Sequence, residues 1–130
     1  MMPPATDGAL MGWLLGLLTQ IKVFHWAVMS YGKHKALDEL HGTLSAHVDR
    51  LIEVYLGRYE RQPLPKALLV QPPPAHGDVS KIDMFLTEER EKMLALHDAP
   101  EWANAPELGN ILDEMMAAID QALYLCRLSA

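Results

Sequence analysis

Histidines and acidic residues that can hold a metal ion are concentrated in the first half of this 130-residue chain. Asp49 and Glu53 are four residues apart, so on a helix their carboxylates lie one turn apart and can bind the same cation. His34 and Asp38 have the same spacing, and His25 precedes them. Mixed nitrogen and oxygen donors suit iron, manganese or zinc better than calcium. The sequence therefore predicts a site for one of these transition metals.

Each of these residues also has a simpler interpretation. An acidic pair such as Asp49 and Glu53 is usually part of a solvated helix face. His25 lies at the margin of an apolar stripe, where a histidine commonly hydrogen bonds to a backbone carbonyl. Trp26 is expected to pack rather than to touch a cofactor. Residue types and spacing leave both interpretations open.

Glu89 is a second acidic residue with two interpretations. It projects onto the apolar face of the third predicted helix, between Phe85 and Met93. Either a nearby cation pairs with its carboxylate, or it is a ligand inside the bundle opposite His25, as in di-iron carboxylate proteins. Such bundles carry Glu-x-x-His on two helices, and that pair is missing from this sequence. An intra-bundle site is therefore the second choice of location.

Four segments with helical periodicity must position these side chains, and none alternates over the length of a strand. The predicted helices cover residues 6–29, 33–58, about 78–99 and 106–126. A turn at Tyr31-Gly32 makes the first two helices antiparallel neighbours. The predicted core comprises Leu10, Trp13, Leu14, Leu17, Ile21, Phe24, Val28, Leu37, Leu40, Leu44, Val48, Leu51, Tyr55, Ile82, Phe85, Leu86, Met93, Leu96, Leu108, Ile111, Leu112, Met115, Ile119, Ala122 and Cys126.

Prolines dominate residues 61–78 and forbid a continuous helix there. This segment is predicted to be a long, semi-extended crossover between two helical hairpins. That connectivity is typical of ferritin-like bundles. The predicted fold is therefore all-α, a single ferritin-like four-helix bundle over residues 1–130.

Projection of the second helix at about 100° per residue separates the candidate ligands from the core. His34, Asp38, Asp49 and Glu53 fall beside the apolar stripe, and Ile52 lies among them. Because an apolar side chain lies within this polar stripe, we expect the stripe to be a second contact surface that packs against another subunit.

Composition narrows the functional classes. The chain has 11 Lys and Arg against 17 Asp and Glu, a formal charge of -6, which disfavours nucleic acid and anionic lipid as partners. Cys126 is the single cysteine, so a reducing compartment such as the cytoplasm is expected. Residues 1–7 carry no basic side chain, and the apolar run at 9–18 is shorter than the roughly 20 residues that cross a bilayer. Neither secretion nor membrane insertion is expected.

The candidate ligands resemble the motif of the starvation-induced DNA-binding mini-ferritins, through His25, Trp26, a glycine turn, His34, Asp38, Asp49 and Glu53. That resemblance implies a ferroxidase centre at a two-fold interface, with His25 and His34 from one subunit. Asp49 and Glu53 would come from its partner, with Asp38 in support. The implied activity, if the chain is an enzyme, is oxidation of Fe(II) by peroxide or oxygen at an iron or di-iron site, in a homo-oligomer that is at least a dimer.

Two further features bear on function. The chain lacks the lysine-rich tail with which mini-ferritins bind DNA, so a nucleic-acid role is not implied. It also resembles an uncharacterised family of small proteins from phages and large DNA viruses, through Ser30-Tyr31, His34-x-Ala36-Leu37 and Asn110-Ile111-x-Asp113-Glu114. This resemblance supports a second hypothesis, a non-enzymatic structural or interaction protein such as a virion component, in the host cytoplasm or the virion.

Overall fold

The computed structural model describes residues 7–60, 68–71 and 75–129. Its four α-helices are α1 (Asp7–Ala27), α2 (Tyr31–Tyr59), α3 (Ile82–His97) and α4 (Pro106–Leu128), with short 3-10 turns at Val79–Lys81 and Pro100–Trp102. These described residues contain no strand. The predicted all-α class with four helices is confirmed. Parts of the predicted crossover, residues 61–67 and 72–74, lie outside the described residues.

The four helices share one hydrophobic core. Every predicted core residue is buried except Phe85, which is partly buried and meets the edge of Phe24 at 5.7 Å between ring centroids. The helical periodicity of the sequence therefore identified the inward face of each helix correctly. None of the described helices is both long and apolar enough to cross a membrane.

The turn between α1 and α2 differs from the prediction. Tyr31 and Gly32 are the first residues of α2 and not the turn, which comprises residues 28–30. Ser30 is the N-cap, and its side chain accepts a hydrogen bond from the backbone N–H of Lys33 at 3.3 Å. A Cβ at Gly32 would meet the side chain of Ser129, which would have to move aside. A side-chain cap therefore replaces the expected glycine turn.

The described parts of the segment between α2 and α3 lie against α1. The backbone N–H of Gln71 donates to the carbonyl of Gly12 at 3.0 Å. The buried Gln20 exchanges two hydrogen bonds with the backbone of His76: its Nε2 donates to the carbonyl at 2.6 Å, and its Oε1 accepts from the N–H at 3.0 Å. The ring of His76 also meets Phe24 edge-on at 5.4 Å. Polar contacts thus hold this non-helical segment along the helix.

Two glycines of α1 make this close approach possible. A Cβ at Gly12 would collide with the carbonyl oxygen of Leu69, and a Cβ at Gly16 with that of Gln71. Glycine within a helix costs about 1 kcal/mol relative to alanine. The hydrogen bonds and packing of the adjacent segment offset that cost.

Glu89 connects α1 to α3 inside the bundle. It is 1% exposed; its Oε1 accepts a hydrogen bond from Trp13 Nε1 at 3.0 Å, and its Oε2 pairs with Lys92 Nζ at 2.5 Å. This arrangement matches the ion-paired interpretation. Trp13 precedes His25 by 12 residues, about 18 Å along α1. The carboxylate therefore lies far along the bundle from His25.

Substitution of Gly16 tests the packing of residues 68–71 on α1. We expect Gly16→Ala to lower the free energy of unfolding by about 1–3 kcal/mol, because the added methyl overpacks the contact. The matched control is Gly57→Ala in α2, where a Cβ meets nothing within 4 Å. This control should raise the free energy of unfolding by up to about 1 kcal/mol. Urea denaturation followed by circular dichroism measures both, and equal changes would contradict this packing.

Replacement of Trp13 tests the buried carboxylate. We expect Trp13→Phe to lower the free energy of unfolding by about 1–3 kcal/mol beyond the loss of ring volume, since Glu89 then loses a buried donor. Trp102→Phe is the control, because Trp102 is also buried but donates no hydrogen bond to a described residue. Similar losses in the two variants would show that the indole N–H adds nothing.

Candidate metal centre

The short connection between α1 and α2 brings His25 and His34 together. His25 is in the last turn of α1 and is 8% exposed, and His34 is in the first turns of α2 and partly buried. Their rings stack with centroids 3.9 Å apart and planes inclined by 21°. The two histidines that the sequence selected as ligands therefore form one pair.

Reciprocal hydrogen bonds orient both imidazoles. His25 Nδ1 donates to the backbone carbonyl of His34 at 2.9 Å, and His34 Nδ1 donates to the backbone carbonyl of His25 at 2.9 Å. Because a carbonyl oxygen only accepts, each Nδ1 carries the proton, and Nε2 of the neutral ring keeps its lone pair. Metal-binding histidines are commonly held by such second hydrogen bonds. The carbonyl-bonded interpretation of His25 is confirmed, and it leaves a nitrogen on each ring for a metal.

Asp38 lies next to the histidine pair. Its Oδ1 is 3.9 Å from His25 Nε2, which is within ion-pair range but too long for a hydrogen bond. About half of its side chain is exposed. The structure therefore brings Asp38 close to His25, as its predicted supporting position requires.

Asp49 and Glu53 lie further along α2, and both are exposed. Asp49 follows His34 by 15 residues and Glu53 follows it by 19, about 22 and 28 Å along the helix. Neither carboxylate has a salt bridge or hydrogen bond to another described residue. The structure thus leaves this pair available to a ligand but does not bring it to the histidines.

A single chain does not complete a metal site among its described residues. No three His, Cys, Asp or Glu side chains converge there on a position for a metal ion. The histidine pair, which joins the end of α1 to the start of α2, and the acidic pair further along α2 are instead two incomplete sets of donors. A rigid α2 cannot bring them together, because helical rise separates them.

An open groove runs over the outer face of α1 and α2, between these two sets of donors. We call it the α1–α2 groove, and it is lined by Leu15, Leu18, His41, Gly42, Ser45, Ala46, Val48, Asp49 and Ile52. Leu15 is 41% exposed, and Leu18 and Ile52 are partly buried. The predicted contact surface on α2 is therefore one wall of a groove. The leucines of α1, which lie outside its core stripe, were the missed part.

His41 lies in the α1–α2 groove and is electrostatically disfavoured as a cation. Partial burial is the main cause that lowers its pKa, followed by the positive charge of Lys22, with a smaller contribution from His25. Asp38 acts in the opposite direction, and its effect is smaller than that of burial. The groove therefore presents a neutral imidazole at neutral pH.

Trp26 does not pack within the chain, so that prediction is wrong. Its side chain is 71% exposed, and those of Met29 and Tyr31 are exposed even more. The ring of Tyr31 lies 6.4 Å from that of His34. Helical periodicity explains the error, because Trp26 lies about 200° around α1 from the buried Phe24. These three exposed residues lie within positions 26–31, where α1 gives way to α2.

His47 has a role that residue spacing did not show. Its Nε2 lies 2.6 Å from Glu114 Oε2 on α4, and its Nδ1 donates to the carbonyl of Thr43 at 2.7 Å. Both nitrogens of the ring are therefore occupied by contacts within the chain. His47 joins α2 to α4 and is not a candidate ligand.

Comparison with known proteins adds a family. No curated protein and no solved structure matches the chain. The profile of DUF5856, described as a family of unknown function, matches residues 25–126, well over half of the chain. The matched region contains the histidine pair, Asp38 and the acidic pair. The chain therefore belongs to the family of unknown function DUF5856.

Proposed function

We propose that the chain is a mini-ferritin-like protein that binds and oxidises iron at a site completed across a two-fold interface. The observation that carries this proposal is the reciprocal bonding of His25 and His34, which holds a proton on each Nδ1 and so leaves Nε2 as the nitrogen that a metal can take. Only Asp38 approaches the pair from the same chain, and no three donor side chains converge among the described residues, so the site needs further acidic partners. Asp49 and Glu53 of a second copy supply them.

Two-fold symmetry makes two equivalent sites from these donors. If α2 packs antiparallel on the α2 of a second copy, the histidine end of each helix faces the acidic end of the other. Each site then has two imidazoles and two carboxylates, a donor set that suits iron, with manganese and zinc as competitors. Asp38, 3.9 Å from His25 Nε2, is in place to support the histidines.

The ferritin-like connectivity is part of the proposal. Arg58 at the end of α2 pairs with Glu107 at the start of α4 at 3.1 Å, and Arg127 at the end of α4 pairs with Asp83 at the start of α3 at 3.1 Å. The end of α2 and the start of α3 are therefore at opposite ends of α4. A connection that runs the length of the bundle supports two hairpins joined by a long crossover.

Iron is the substrate in this scheme. Two Fe(II) ions give one electron each to a peroxide, and with two protons the peroxide becomes two waters; dioxygen is the alternative oxidant. The two carboxylates of each site offset the charge of the cation, and hard oxygen donors favour the Fe(III) product. The imidazole N–H groups stay bonded to carbonyls, so the nitrogens keep their direction while the charge of the iron changes.

A second candidate is a non-enzymatic structural or interaction protein, such as a phage or virion component. The observation that favours it is the exposure of Trp26, Met29 and Tyr31 at the connection between α1 and α2, since large exposed apolar side chains are typical of contact sites. Recovery in a defined complex with a capsid or tail protein would support it. Fe(II) oxidation by the purified homo-oligomer would count against it.

Removal of either set of donors tests the proposed site. We expect His25→Ala/His34→Ala and Asp49→Ala/Glu53→Ala each to weaken Fe(II) affinity at least about tenfold, since each removes half of the ligands. Anaerobic equilibrium dialysis measures binding, and ferric absorbance after addition of peroxide measures oxidation. Glu88→Ala/Glu91→Ala removes the same charge from the exposed face of α3 and should change neither. Unchanged binding in both ligand variants would refute the site.

Mixing the two ligand variants tests whether the site is shared. A mixed dimer carries intact histidines on one chain and intact carboxylates on the other, so one of its two sites is whole. After unfolding and refolding together, random pairing should restore about a quarter of the wild-type iron sites. Neither variant alone should recover after the same treatment. If the mixture also fails while the wild type binds iron, the ligands do not come from two chains.

A further inference from the structure

Gly42 lies in the wall of the α1–α2 groove, and no contact with another described residue requires a glycine there. A Cβ at this position would meet nothing within 4 Å, in contrast to Gly12 and Gly16, whose missing Cβ atoms admit residues 69 and 71. Glycine in the interior of a helix costs about 1 kcal/mol relative to alanine. The bare backbone at Gly42 therefore exposes a flat part of α2 that another helix can approach closely.

Gly42 also lies at the centre of the donor pattern. The midpoint between His34 and Asp49 is position 41.5, and the midpoint between His34 and Glu53 is position 43.5. An antiparallel pair of identical helices brings position 34 opposite positions 49–53 only if its symmetry axis passes near position 42. Gly42, which has no side chain, is thus at the point where two such helices would cross.

We infer that the α1–α2 groove binds a second copy of this chain, with α2 antiparallel to α2 and the two-fold axis at Gly42. This inference rests on the proposed function, because it specifies the contact that completes the metal site. Charge favours the antiparallel direction. It places Lys35 of one copy opposite Asp49 of the other, whereas a parallel in-register pair would place each charged residue opposite its own copy.

The surface around Gly42 suits burial in a self-complementary contact. Ser45 and Ala46 are small, so they keep the helix profile low next to the glycine. Leu15 and Ile52 offer apolar area that a second copy would cover. His41 is disposed to be neutral, so its burial in the contact does not bury a charge. One patch that contains all of these features can meet itself across a two-fold axis.

Disulfide trapping tests the position of the axis. We expect Gly42→Cys, in a Cys126→Ala background, to form a disulfide-linked dimer when diamide takes two electrons and two protons from the paired thiols. A residue on a two-fold axis faces the same residue of the second copy. A disulfide spans roughly 4.4–6.8 Å between Cα atoms, and two such residues lie within that distance. Gly57→Cys in the same background is the control, since it is exposed on α2 but 15 residues from the axis. It should remain monomeric on a non-reducing gel.

A large side chain at position 42 gives an independent test, because it changes the affinity of the dimer. We expect Gly42→Leu to raise the dimer dissociation constant at least about tenfold in sedimentation equilibrium, because a side chain there separates the helices. Gly57→Leu should leave it unchanged, and circular dichroism should show full helix content in both. A monomeric wild type, or equal cross-linking at positions 42 and 57, overturns the inference.

The outcomes separate this inference from the proposed function. A dimer that cross-links at position 42 but binds no Fe(II) supports the axis and refutes the iron site. Tight Fe(II) binding by a protein that stays monomeric refutes the axis, and iron binding then stands without a shared site. Dimer formation that is lost in Gly42→Leu together with Fe(II) binding supports both.

Discussion

The reciprocal hydrogen bonds between His25 and His34 connect the fold of the chain to its chemistry. The last turn of a helix has carbonyl groups without partners in the helix, and His34 satisfies one of them at the end of α1. The same bond holds the proton of His34 on Nδ1, and the converse bond does so for His25. The interaction that closes the α1–α2 hairpin is therefore also the one that leaves two oriented nitrogen donors. The closure of the hairpin and the orientation of the two imidazoles therefore depend on the same bonds.

Glycines define where other backbones can approach the helices. Gly12 and Gly16 on α1 receive carbonyl groups of the segment that precedes α3, and Gln20 and Phe24 continue the contact along the helix. This packing covers one side of α1. Its other side, with Leu15 and Leu18, stays open and forms the α1–α2 groove with α2. On α1, glycines therefore mark the side that another segment of the chain covers, and leucines mark the side that stays open.

The separation of the donors along α2 couples chemistry to association. Because α2 is a continuous helix, about 22 Å lie between His34 and Asp49, and no side-chain rotation removes that distance. If the exposed acidic pair and the histidine pair bind one metal ion, only a second chain can bring them together. In the proposed function, oligomer formation is a condition for iron binding and not an addition to it. The solvated-face interpretation of Asp49 and Glu53 describes the isolated chain, and the metal-ligand interpretation describes the proposed pair.

Sequence periodicity by itself determined the four helices, their buried stripes and the position of His34, Asp38 and Asp49 beside the core, because these properties are set by spacing along one helix. Periodicity also indicates that Trp26 is exposed, since this residue lies about 200° around α1 from the buried Phe24. Tertiary structure decided what depends on two elements at once. Trp13 as the partner of Glu89 and the stacking of His25 on His34 both arise from the packing of one segment on another, whereas the Ser30 cap is a local bond to Lys33, three residues on. Spacing along a helix is local information, whereas the register between helices emerges only when the whole core is packed.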